Sequence, residues 1–178
     1  ICDLTGLLET ARHLSARAVN SIMTSTYWLI GKRIVEQEQK GKKRAQYGEE
    51  LIERLAQDLS QRFGRGFSER GLWRMRRFYL LWSSPRPTIF DSSTFSLSAF
   101  PPEILPTVLA ESLKTELSSV ARFPLPWSHY IRLMSVESEK AREFYEEEAL
   151  RGGWTIRQLD RQIGTQFYER TLLSKDKA

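Results

Sequence analysis

Gly66-Phe67-Ser68-Glu69-Arg70-Gly71-Leu72-Trp73-Arg74 is written a second time, in changed letters, as Gly153-Trp154-Thr155-Ile156-Arg157-Gln158-Leu159-Asp160-Arg161. The shared pattern is a glycine, a large aromatic, a hydroxyl residue, and then arginine, leucine and arginine at alternate positions. A hydroxyl residue at the head of an apolar three-and-four spacing is how an amphipathic helix starts. Its oxygen accepts from N–H groups of the first turn that have no partner within the helix. Upstream of each copy stands another amphipathic stretch, ending at Phe63 or Leu150. Helix, glycine break and capped helix, twice over, predict a mainly α protein, a helical bundle containing two helix-turn-helix-like units.

Working outward, apolar residues from Leu4 to Ile34 keep the same spacing and predict helix over 3–40, in one piece or broken near Asn20-Ser21. The basic run Lys40-Gly41-Lys42-Lys43-Arg44 follows. A helix is expected from Glu49 to Phe63, with its two leading glutamates at the positive end of the helix dipole and Leu51, Ile52, Leu55, Ala56, Leu59 and Phe63 on one face. Gly64-Arg65-Gly66 stops it, and the next helix, capped by Ser68, runs to about Trp82. Residues 83–106 are rich in Ser, Pro and Thr and read as a linker, with a possible small β-hairpin in 85–100. Beyond them we expect helices over 107–120, from a cap at Ser128, over 138–150 and over 155–172. The expected organisation is therefore 1–82, an N-terminal helical unit; 83–106, a linker; and 107–178, a second helical unit.

Charge singles out one of the two copies. The 27 Lys+Arg and 22 Asp+Glu give a net charge of +5, too modest for the total to decide anything. Its distribution decides more. Arg62, Arg65, Arg70, Arg74, Arg76 and Arg77 face a lone acid, Glu69, whereas Glu137 to Glu148 is dominated by glutamate. At about 100° per residue, Arg70, Arg74 and Arg77 form one stripe, and Leu72, Met75, Phe78, Tyr79 and Trp82 occupy a separate, core-facing sector. Arginine forks match phosphate oxygens and guanine edges, and the first turn of a helix offers free N–H groups. The candidate nucleic-acid contacts are Arg70, Arg74 and Arg77, with Arg65 and Ser68 at the helix start and with Arg157 and Arg161 second. The bland alternative is a solvated face; for the second copy it takes the form of Arg157 and Arg161 paired with Glu146 to Glu148. Phe67 and Trp154, just before the caps, are read as core.

Other chemistry finds little support. Cys2 is the sole cysteine and His13 and His129 the sole histidines, so neither a disulfide framework nor a Cys/His metal cage is expected, and no cofactor. His129 lacks a nucleophile and an acid partner and is read as a helix-start or interface residue. Tyr27 and Trp28 are read as core or dimer contacts. No apolar run suits a membrane span and the first residues do not read as a secretory signal, so the expected setting is cytoplasmic.

Longer strings carry a resemblance. Tyr27-Trp28-Leu29-Ile30-Gly31-Lys32, Gly64-Arg65-Gly66-Phe67-Ser68, Arg77-Phe78-Tyr79, Trp127-Ser128-His129-Tyr130, Ala141-Arg142-Glu143-Phe144-Tyr145 and the run from Gly153 to Ile163 together resemble the N-terminal domain of the YhcG-like bacterial proteins. The likeness extends over nearly the whole chain in order and is poorest over 83–106. It implies a helical, winged-helix or helix-turn-helix-like unit that precedes a nuclease domain of the PD-(D/E)XK type, which would begin soon after Lys177. This chain itself has no Pro-Asp pair, and its acid-x-Lys triplet, Glu38-Gln39-Lys40, lies at a helix end, so no two-metal hydrolytic centre is expected in it. The reading is a non-catalytic module that binds DNA, expected to be duplex, and targets the C-terminal nuclease domain of the same protein. The alternative is a protein-interaction or oligomerisation scaffold, a homodimer through the long N-terminal helix being its simplest form.

Overall fold

The computed structural model describes residues 2–40, 45–83 and 123–175. The possible hairpin at 85–100, the helix expected over 107–120 and most of the basic run at 40–44 lie outside the described residues. Within them the fold is mainly α, and no strand occurs. Helix α1 is Cys2–Lys40, α2 Ala45–Phe63, α3 Glu69–Leu81, α4 Trp127–Leu133, α5 Glu139–Arg151, α6 Ile156–Gly164 and α7 Phe167–Lys175, with a single 3-10 turn, Arg65–Phe67, before α3.

Helix α1 is the one-piece alternative, running through Asn20-Ser21 unbroken, because two residues of middling propensity cost only tenths of a kcal/mol each (about 0.5). Several other boundaries differ from the sequence-based expectation. Helix α2 begins at Ala45, so Glu49 and Glu50 fall beyond its first turn, away from the positive end of the dipole. Helix α4 starts at Trp127, directly after Pro126, which leaves Ser128 inside its first turn rather than at the cap. Phe63, expected in the core, is exposed at the end of α2 and leans on the Phe67 ring at 5.7 Å.

The helix expected over 155–172 is two helices. Gln166 takes a left-handed conformation, φ 52°, between them. Tyr145 of α5 stabilises the break: its hydroxyl donates to the Gln162 carbonyl at 3.4 Å and accepts from the Tyr168 N–H at 3.1 Å. Backbone groups freed by the interruption thus keep partners.

Packing groups the chain into two compact units, 1–25 with 86–127 and 26–85 with 128–178. This grouping cuts across the division at 83–106, because helices from both sides of it share the core of the second unit. In the first unit, Thr24 is buried and its hydroxyl donates to the Leu125 carbonyl at 3.2 Å, beside buried Ser25, Phe123 and Leu125. Leu4, Leu7, Leu8, Val19 and Met23 of α1 are exposed.

Helix α3 is the axis of the second unit. Ser68 caps it, no β-branched residue interrupts 69–81, and Leu72, Met75, Phe78 and the following Trp82 recur at helical spacing and are buried. Burial of each of the three helical residues is worth about 1.5–3 kcal/mol. Four helices pack around it. From α1, the half-buried Trp28 ring lies 5.0 Å from Tyr79 and its Nε1–H donates to the Trp82 carbonyl at 3.3 Å. From α2, Ile52 and Ala56 are buried, and the helix packs on α3 and on the 3-10 turn. From α4, the Tyr130 ring sits 5.0 Å from Phe78 and 5.6 Å from Trp82. From α5, Glu146 accepts from Trp82 Nε1 at 3.0 Å and from the Tyr130 hydroxyl at 2.8 Å, so both polar tips in this aromatic cluster are satisfied.

Candidate nucleic-acid interface

The repeated phrase shapes both copies alike at the helix start and differently in the turn. Ser68 is extended, φ −61° and ψ 160°, and its hydroxyl oxygen accepts from the Gly71 N–H at 3.3 Å. Thr155 has nearly the same backbone, φ −70° and ψ 161°, and forms a full reciprocal box with Gln158. The Gln158 N–H donates to Thr155 Oγ1 at 3.3 Å, and the Thr155 N–H to Gln158 Oε1 at 2.7 Å. In the turns, left-handed backbone falls on Gly64, φ 84°, in the first copy and on Gly153, φ 59°, in the second. Only glycine takes such angles without steric cost. Gly66, aligned with Gly153 by the pattern, instead belongs to the 3-10 turn. The extra turn in the first copy brings Phe67 to 6.5 Å from Tyr27, so both aromatics before the caps are half-buried packing residues, Trp154 against Phe167 at 6.2 Å.

The arginines separate by what holds them. Arg70 is exposed in the first turn of α3 and Arg74 is half-buried one turn later. Arg76, not among the expected contacts, is held by α1: its Nε–H lies 2.9 Å from both carboxylate oxygens of Glu38. Arg77 donates from Nη2 to the Met134 carbonyl at 3.0 Å. That carbonyl follows the last turn of α4, where a cation is favoured, so Arg77 fastens two helices and keeps further N–H donors for a ligand. Arg157 and Arg161 are exposed on α6. The side chain of Arg65 lies outside what the structure describes.

Glutamates do not take the part expected of them beside the second copy. Glu146 serves Trp82 and Tyr130, and Glu148 receives Arg151. Asp160, between Arg157 and Arg161 on α6, pairs instead with Arg132 of α4. Arg132 also donates from Nη1 to Ser135 Oγ at 2.8 Å. The end of α4 therefore touches both copies: Met134 receives Arg77 from α3, and Arg132, two residues earlier, holds Asp160 from α6. The short turn 132–135 is thus tied to α3 through Arg77 and to α6 through Asp160. Sequence could not show this, since Arg77, Met134 and Asp160 are far apart in the chain and nothing in their spacing marks the contact.

Other candidate groups are accounted for by packing. His129 is buried, with Nε2 2.8 Å from the Trp154 carbonyl, and so secures the turn before α6. Among the described residues, no group of three or more His, Cys, Asp or Glu side chains comes together as a metal site would require. None of the described helices is long and apolar enough to cross a membrane.

These features define a mainly α module with two capped helices, each entered through a glycine turn and each bearing exposed arginines. The chain matches the family model described as the DUF1016 N-terminal domain over residues 3–170, and it belongs to that family. It is 49% identical over 175 residues to the Escherichia coli (strain K12) protein named "Putative nuclease YhcG", an alignment that takes up 97% of this chain and 46% of that protein. The chain thus spans about half the length of the curated relative it matches. No solved structure matches it.

Proposed function

We propose that this chain is the DNA-binding, targeting module of a cytoplasmic nuclease, and that a PD-(D/E)XK domain elsewhere in the full-length protein performs the cleavage. The observation that carries the reading is that the end of α4 is tied to both capped helices, to α3 through Arg77 and the Met134 carbonyl and to α6 through Arg132 and Asp160. In this reading Arg70, Arg74 and Arg77 of α3 and Arg157 and Arg161 of α6 form one basic face beside that turn, with Ser68 and Arg65 at the start of α3. A single basic face suits a duplex, which carries a negative charge about every 1.7 Å along its axis. The relative's name, which includes "nuclease", supports the polyanionic partner. In this reading α3 and α6 present their first turns to phosphates, the arginines supply forked donors, and the chain itself is not an enzyme. The test is the affinity of the chain for a duplex oligonucleotide, with Arg70, Arg74 and Arg77 all replaced by alanine. A loss of tenfold or more on the order of one or two phosphate contacts is expected, and unchanged affinity would remove the assignment.

A second reading, an oligomerisation scaffold, has its own observation. Leu4, Leu7 and Leu8 of α1 are 64%, 66% and 62% exposed, with Val19 and Met23 also open. Such apolar residues gain by pairing with a second copy of the helix. A sedimentation experiment showing a dimer insensitive to salt, together with no binding to any DNA, would favour it over the first.

A further inference from the structure

Trp73 stands apart from the aromatic residues around it. Leu72, Met75, Phe78 and Trp82 are 0 to 1% exposed, whereas Trp73 is 40% exposed on the same stretch of chain. Trp73 follows Leu72 by about 100° of rotation, which turns it out of the core and toward Arg70 at i−3 and Arg77 at i+4. One side of its ring is already covered: the Arg76 guanidinium lies over it, 5.4 Å from the centroid. Arg76 is itself fixed by Glu38 of α1, with both carboxylate oxygens at 2.9 Å from Nε. A cation over one face of an indole is favourable, and the clamp from α1 restrains the ring before any ligand arrives. What results is an indole between arginines, backed by a cation and 40% open to solvent.

Such an arrangement suits a base that has left its stack. Every base has a π-face, so stacking on an aromatic side chain needs no particular sequence, and neighbouring cations hold the phosphates on either side. In an intact duplex the faces of the bases are covered by one another, and only their edges are offered in the grooves. We propose that Trp73 is a stacking platform for an unpaired base, so that the DNA engaged at this face includes a single-stranded segment or end. This rests on the DNA-binding reading above and narrows it: the arginines hold the backbone, and Trp73 distinguishes exposed bases from paired ones.

The experiment compares the 178-residue chain with its Trp73→Ala, Trp73→Phe and Arg70→Ala/Arg74→Ala variants on three oligonucleotides of equal charge per strand: a blunt duplex, a single strand and a duplex with an overhang. Trp73→Ala should weaken binding to the single strand and the overhang about tenfold, in the range that removal of a stacking aromatic gives, and leave the blunt duplex nearly unchanged. Trp73→Phe should keep most of the affinity. Tryptophan emission should be quenched on binding the single strand, with much of that quench missing in Trp73→Phe. The arginine pair should weaken all three ligands. Undiminished single-strand affinity in Trp73→Ala would overturn the platform while leaving the arginine face standing. An equal loss on blunt duplex and single strand would also overturn it, since Trp73 would then only support the arginines. Failure of the wild-type chain to bind any of the three would remove both readings.

Discussion

Replacement of Gly31 by alanine tests how α3 is held in place. At Gly31, α1 passes directly against the backbone of α3. A Cβ built there would be driven against the Met75 carbonyl oxygen, with the carbonyl carbon at 2.7 Å and Tyr79 Cβ at 3.0 Å, well inside the 3.4 Å at which ordinary contact begins. The obstructing atoms are backbone, which cannot rotate aside, so the helices must separate. Separation loosens three contacts at once: Trp28 against Tyr79, the Trp28 bond to the Trp82 carbonyl, and the Arg76–Glu38 pair. Overpacking of this kind costs about 1–3 kcal/mol, offset in part by the helix preference for alanine over glycine, close to 1 kcal/mol. The net cost of up to about 2 kcal/mol lowers the melting temperature in a circular-dichroism melt by up to about 8 °C, at roughly 2–4 °C per kcal/mol for a chain of this size. Gly6 on the same helix is the matched control. Nothing lies within 4 Å of a Cβ placed there, so Gly6→Ala should be neutral or stabilising by up to about 1 kcal/mol. A Gly31→Ala variant that melts at or above the wild type would refute the close crossing.

Further outcomes follow from single contacts. Arg77→Ala should lower stability by roughly 1 kcal/mol, by removing a charged hydrogen bond to the Met134 carbonyl, whereas Arg70→Ala should not move the urea midpoint. Gln166→Gly should raise the melting temperature, because glycine relieves a left-handed residue at φ 52° whose steric cost is about 1 kcal/mol. Burial raises the Tyr145 phenol above its ordinary value of 10.0, with the Tyr168 N–H opposing the shift. The fold therefore favours the neutral phenol: this stability is complete below the unfolded value and declines as pH rises from there through the folded one. Tyr145→Phe should be less stable at neutral pH by about 1 kcal/mol and lose less on alkaline titration.

The helices were legible because their signals are local. Ser68 and Thr155 announce their caps by a hydroxyl residue before an apolar period, and Leu72 and Leu159, the same letter of the phrase, are both fully buried. The arginines at 70, 157 and 161 are exposed, as their positions on the wheel require. Errors arose where distant parts of the chain decide. The break at Gln166 depends on Tyr145, which belongs to another helix, and Phe63 leaves the core although its period points inward. The roles of Arg76 and Arg77 were mixed for the same reason. Both sit in a basic run, but Glu38 claims one and the end of α4 claims part of the other. The exposure of Trp73 was not marked by its place after a buried leucine, since helical neighbours can both be buried, as Ile34 and Val35 are. The tie of α4 to both copies was not legible, because it depends on the Arg77 bond to the Met134 carbonyl and on the Arg132–Asp160 pair, formed between separate helices.

The central claim, a single arginine face made from both copies, is tested most directly by the salt dependence of duplex binding. Affinity would be measured from about 50 to 200 mM salt for the wild-type chain and for a variant with Arg70, Arg74, Arg157 and Arg161 replaced by alanine. Each phosphate contact contributes about 0.9 to the log–log slope, so the account predicts a slope shallower by roughly 3 to 4, with pairs from either copy giving about half the change. An unchanged affinity and slope would contradict it.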